Sequence, residues 1–154
     1  MANATNRLIW WALIVSIGIY AAVSYTIAGA QEPRDGTQVH VLAAALGVVS
    51  LSIAVVTIFI RGRMLVGPIK RGELDPRTPA GLQRAFVPFL LCLVLSESVG
   101  IYGLVLALLS GVSLYAAPFL FIATVLLLIH RPTAPELVPP RSGAASRFDA
   151  SPIA

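Results

Sequence analysis

The feature that most constrains this chain is a set of four long apolar runs. A helix that crosses a bilayer needs roughly 20 mostly apolar residues. Four stretches meet that length, at about 8–28, 41–60, 85–109 and 112–129. The second ends at Arg61, the third follows Gln83-Arg84, and the fourth ends at His130-Arg131. Composition agrees. Of 154 residues, 57% are apolar and 12% charged, about half the ~25% charge of a soluble domain. A water-soluble fold could not cover itself with so few charges. An ordinary soluble enzyme, a disordered chain and a nucleic-acid binder are thereby excluded. The expected fold is an all-α, integral membrane four-helix bundle occupying residues 1–131. Residues 132–154 are rich in Pro, Ala and Ser, without periodicity, and read as a disordered cytoplasmic tail.

Charge placement sets the expected orientation. Loop one carries Glu32, Arg34 and Asp35. Loop two, 61–84, carries Arg61, Arg63, Lys70, Arg71, Arg77 and Arg84 against Glu73 and Asp75. The connection at Ser110-Gly111 has no charge, and the tail adds Arg131, Arg141 and Arg147. The positive-inside rule puts loop two and both termini in the cytoplasm of a multi-pass cell-membrane protein. An even number of crossings satisfies that arrangement. A competing reading makes residues 8–30 a signal peptide cut at Ala28-Gly29-Ala30, but the apolar run exceeds the usual ~7–15-residue core. Trp10 and Trp11 fit either an interfacial anchor or plain lipid-facing packing. One cysteine, Cys92, leaves no internal disulfide and no thiol metal cluster. His40 and His130 fall at opposite faces, each read as a helix-end residue near water, so they cannot share a metal. No metal or other cofactor is expected.

The chain also aligns with itself. Residues 15–29 and 97–111 match at Ser16/Ser98, Gly18/Gly100, Ile19/Ile101, Tyr20/Tyr102, Val23/Val105 and Gly29/Gly111. Chance likeness of two apolar helices is one explanation. The other is two repeated transmembrane hairpins, as parallel repeats occur in membrane proteins. Helix two carries a stripe of small residues, Ala43, Gly47, Ser50, Ala54 and Thr57, which suits close helix packing.

Glu97 breaks the partition of charge. It lies 13 residues beyond Arg84, about 20 Å deep at ~1.5 Å per residue, near the middle of a bilayer. A charged group there costs at least ~2.5 kcal/mol, so an ionisable residue at that depth suggests function. Desolvation favours the neutral acid, which can take up and release a proton. The alternative is a protonated carboxyl that only glues helices through a hydroxyl. Leu95, Ser98 and Tyr102 share one helix face, and Glu97 points about 100° from Ser98 and about 140° from Tyr102. Glu97 should therefore not meet its own Tyr102. Its candidate partners are Ser16 and Tyr20, or Ser98 and Tyr102 of a neighbouring copy, and both options imply a ring or file of parallel copies.

The run Glu97-Ser-Val-Gly-Ile-Tyr-Gly-Leu-Val-Leu-Ala-Leu-Leu109 resembles the ion-binding helix of subunit c, the proteolipid of rotary F-type and V-type ATPases. Arg77-Thr78-Pro79 is similar to that family's polar loop, with Thr where the family has Gln. The resemblance spans about residues 41–109. It implies a membrane proteolipid that is not catalytic by itself but serves a proton-translocating complex. It implies Glu97 as ion carrier, Ser98 and Tyr102 as hydroxyls shaping the site, and the Leu95 carbonyl as a further ligand. Implied partners are the lipid bilayer, copies of the chain or other membrane subunits, and a proton rather than sodium. Helix two lacks the family's Gly-x-Gly-x-Gly run and the glutamine of sodium-binding members, and the carboxylate sits on the third of four spans. The alternative is a non-transporting membrane scaffold or assembly protein.

Overall fold

The computed structural model describes residues 4–28, 30, 32, 36–75 and 78–132. Its elements are α1 (Ala4–Ala28), α2 (Thr37–Ile60), a π-helical turn (Arg61–Val66), α3 (Gly67–Lys70), α4 (Pro79–Ser110), a 3₁₀ turn (Ser113–Tyr115) and α5 (Ala117–Ile129). The described residues contain no strand. The expected tail beyond Pro132, the cleavage position at Gly29, most of loop one and Arg77 lie outside the described residues.

Three helical stretches are long and apolar enough to cross a membrane: Ala4–Ile27, Thr37–Lys70 and Pro79–Ser110. The fourth is shorter than the sequence suggests. Residues Ser113–Ile129 form an apolar helical segment below spanning length, and its α-helical part has 13 residues, about 20 Å. The cause is local. Gly111 adopts the left-handed conformation (φ 69°), and its N–H bonds back to the Ala107 carbonyl at 3.0 Å, closing α4. Val112 is then extended, and Pro118 stands in the first turn of α5.

Loop two also differs from its expected length. Helix continues from α2 through the π-turn and α3 to Lys70, so ten residues read as loop are helical. At the far side α4 starts at Pro79, capped by Thr78. The Thr78 hydroxyl accepts the Gly81 N–H at 3.1 Å, and Pro79 needs no donor there. Gly81 has no alternative: a Cβ would stand 1.9 Å from the Asp75 carbonyl oxygen.

α4 is the central element and touches α1, α2 and α5. Its buried side chains include Leu93, Val99, Leu106 and Ala107. At 100° per residue its faces can be assigned. Cys92 faces α2, where its thiol approaches the Thr57 carbonyl at 3.6 Å. Gly103 faces α5, and Gly100 faces both Ile17 of α1 and Ala123 of α5. Ser96, Gly100, Gly103 and Ala107, all buried, form a small-residue stripe that lets α5 sit close. The α2 stripe also turns inward, with Ser50 and Thr57 fully buried, yet nothing lies within 4 Å of a Cβ at Gly47.

Helix directions follow from the contacts. Trp10, early in α1, donates its indole N–H to the Leu127 carbonyl, late in α5, at 2.7 Å. The Tyr115 hydroxyl lies 3.4 Å from His40 Nδ1, so the start of α2 meets the start of the α5 segment. α1 and α4 therefore run one way, α2 and α5 the other. The outward surface is apolar: Val15, Val48, Leu51, Val55 and Phe121 are all exposed.

Candidate functional site in the helix bundle

Glu97 is partly buried on α4, at the seam with α1. The Tyr20 hydroxyl donates to its Oε1 at 2.9 Å. The bond closes within one chain. The expectation that a partner for Glu97 needs parallel copies is therefore corrected. The reason is packing: α1 lies along α4, and one turn above the carboxylate Gly100 offers no side chain, so Ile17 and Tyr20 come close.

The other residues marked in the sequence divide. Ser16 sits one turn below Tyr20 and interacts with its hydroxyl, while donating to the Ala12 carbonyl at 3.1 Å. Ser98 donates to the Leu95 carbonyl at 2.8 Å, so these two satisfy each other. Tyr102 packs against the core, with only part of its surface exposed. The structure thus joins Glu97 to Tyr20 and Ser16, and leaves Ser98, Leu95 and Tyr102 out of that cluster. Chemically, a phenol and a carboxyl at hydrogen-bond distance can share and relay a proton. Among the described residues no group of three or more His, Cys, Asp or Glu could hold a metal.

A second polar cluster was not foreseen. His130 is 0% exposed, which corrects its reading as a helix-end residue near water. It caps α5 but lies against the end of α2, beside Thr57 and Arg61. Its Nδ1 donates to the Leu126 carbonyl, and its Nε2 is buried without a hydrogen bond. Burial pushes the imidazole below its ordinary pKa. Arg61 acts the same way, while the Leu126 and Thr57 carbonyls oppose it. Arg61 itself is only 6% exposed. The only sequence signal was that both apolar runs, 41–60 and 112–129, end on a basic residue. His40, by contrast, is exposed, stacked edge-on to Tyr115. Trp10 is partly buried, with its indole N–H on the Leu127 carbonyl of α5, whereas Trp11 is exposed.

No protein-family model matches this chain, and no curated protein or solved structure matches it either.

Proposed function

We propose that this chain is a membrane proteolipid that carries a proton on Glu97, as the non-catalytic subunit of a proton-translocating assembly similar to subunit c. The observation that carries the reading is the Tyr20–Glu97 bond: an ionisable group midway along the longest described α-helix, reached by a phenol from a second apolar helix. Intramembrane carboxyls are costly and mark proton or ion paths. Partial exposure at a helix seam leaves Glu97 open to a neighbouring subunit. The helices cross the membrane as an up-down-up-down bundle of four, with loop two and both termini in the cytoplasm. The opposed directions of α1 with α4 and α2 with α5 support that arrangement. The self-alignment of 15–29 with 97–111 fits repeated hairpins.

A hydrophobic carbodiimide tests the reading, because it modifies protonated carboxyls inside a bilayer. Labelling should map to Glu97 by mass spectrometry, decline as pH rises, and vanish in Glu97→Gln. Absence of labelling at every pH would sink the proposal.

One observation favours the scaffold reading: the Glu97 bond is complete within a single chain, as a helix-locking contact would be. The two separate in reconstituted vesicles. A lock predicts a monomer that passes no protons with any partner present, while the proteolipid predicts a closed oligomer.

A further inference from the structure

A groove at the end of the bundle where α2 passes into the π-turn carries a different kind of site. It holds about 530 Å³ and is lined by Phe59, Gly62, Arg63 and Arg71. Phe59 belongs to the last turn of α2, Gly62 and Arg63 to the π-turn, and Arg71 follows α3 directly. The apolar run of α2 ends at Ile60, so on the membrane reading the groove opens where hydrocarbon gives way to headgroups.

Each lining residue contributes separately. The Arg63 guanidinium rests over the Phe59 ring, 5.9 Å from its centroid, and makes no ion pair among the described residues. That stacking holds the charge at the groove wall while leaving its donors outward. Arg71 is fixed from one side by Glu73, whose oxygens accept from Nε at 2.7 Å and from the second amino nitrogen at 3.0 Å. The remaining amino nitrogen of Arg71 lies close to Gly67, beside the wall. Gly62 has nothing within 4 Å of its missing Cβ, which keeps the floor open. Phe59 is exposed and continues the apolar surface towards the acyl region.

We propose that this groove binds the phosphodiester of an anionic phospholipid, with Arg63 and Arg71 on the phosphate and one acyl chain lying along Phe59. The Arg63 guanidinium fork matches phosphate oxygens in pairs, which a diffuse positive surface does not, and Arg71, committed on one edge to Glu73, adds its remaining amino donors. The apolar wall next to the two cations selects a lipid over a free anion. The site rests on the membrane reading and is independent of proton carriage by Glu97.

The test uses the full chain in mixed phosphatidylglycerol–phosphatidylcholine nanodiscs, with lipids retained after release counted by native mass spectrometry. Wild type should retain phosphatidylglycerol preferentially. Arg63→Gln should lower that preference about fivefold, the effect of one guanidinium at a charged surface. The double variant Arg63→Gln/Arg71→Gln should abolish it. Arg84→Gln, an exposed cation outside the groove, should leave it unchanged. Equal losses in Arg84→Gln and Arg63→Gln would mean only a diffuse basic face and would overturn the site. No preference in wild type would overturn it too. Binding of inorganic phosphate without phosphatidylglycerol enrichment would reassign the groove to a free anion. Circular dichroism of each variant checks that helix content is intact, so a loss reads as lost binding.

Discussion

At Gly103 a Cβ would stand 2.7 Å from the Phe119 Cβ and 3.0 Å from the Ala116 carbonyl oxygen. Neither atom can rotate away, because one is backbone and the other is attached to it. At Gly100 the nearest atom, at 2.6 Å, is the Ile17 Cδ1, the free end of a flexible side chain. Alanine gains about 1 kcal/mol over glycine inside a helix. Overpacking against a rigid neighbour costs about 1–3 kcal/mol. Gly103→Ala should therefore destabilise the bundle while Gly100→Ala comes out near neutral, read as unfolding midpoints in mild detergent. Tyr20→Phe removes the donor to Glu97 and should lower stability by about 0.6–2 kcal/mol. Glu97→Gln keeps an acceptor oxygen and should lose less in the same assay. At this scale the place of Glu97 midway along α4 was legible in the sequence. Its partner was not. The sequence placed Ser16 and Tyr20 on one face of α1, but only tertiary packing could say that this face meets α4 of the same chain.

Among the elements, α5 depends most on its ends. Its first half leans on Gly103 and its last turn is tied to α1 by the Trp10–Leu127 bond. Trp10→Phe keeps the aromatic bulk and removes the donor. It should loosen α5 by about 1 kcal/mol, seen as faster amide exchange at its C-terminal turn. His130 closes the helix from inside the bundle, and its chemistry gives α5 a pH response. Burial holds the folded imidazole below its usual value, so the unfolded chain binds more protons in mildly acidic solution. Stability is present at neutral pH and is lost as pH falls below the ordinary histidine range. The thermal midpoint should drop between neutral pH and pH about 5, and His130→Gln should flatten that slope. A slope unchanged in the variant would remove His130 as its source. Element existence was readable from the apolar runs, since burial in lipid demands length and little else. Boundaries were not. Helix runs on past Arg61 through the π-turn, because a basic residue that ends an apolar run does not end a helix. α5 starts late because Gly111 in the left-handed conformation ends α4 and Val112 is extended, a turn that hydropathy alone cannot resolve from helix.

For the molecule as a whole, the open question is how many times the chain crosses. Three helices have the length. The fourth, Ser113–Ile129, would rise about 25 Å if helical throughout, a few ångströms short of a ~30 Å hydrocarbon core. Local thinning or snorkelling offsets such a mismatch for fractions of a kcal/mol per ångström. Packing favours a crossing: α5 runs from the level of His40 to the level of Trp10 and Arg61, along most of the bundle. It also buries Phe119, Ala123, Leu126 and Leu127 against the other helices, so little of it needs matching to lipid. Single cysteines in a Cys92→Ser background settle the count. Lys70→Cys, Leu114→Cys and Arg131→Cys all fall at exposed positions. A membrane-impermeant maleimide on intact cells should modify Leu114→Cys alone. Lys70→Cys and Arg131→Cys should react only after the membrane is opened. Reaction of Arg131→Cys from outside together with Leu114→Cys would mean that α5 lies on the outer surface and the chain crosses three times. Reaction of Lys70→Cys from outside would invert the orientation, placing the Arg63–Arg71 groove against the other leaflet.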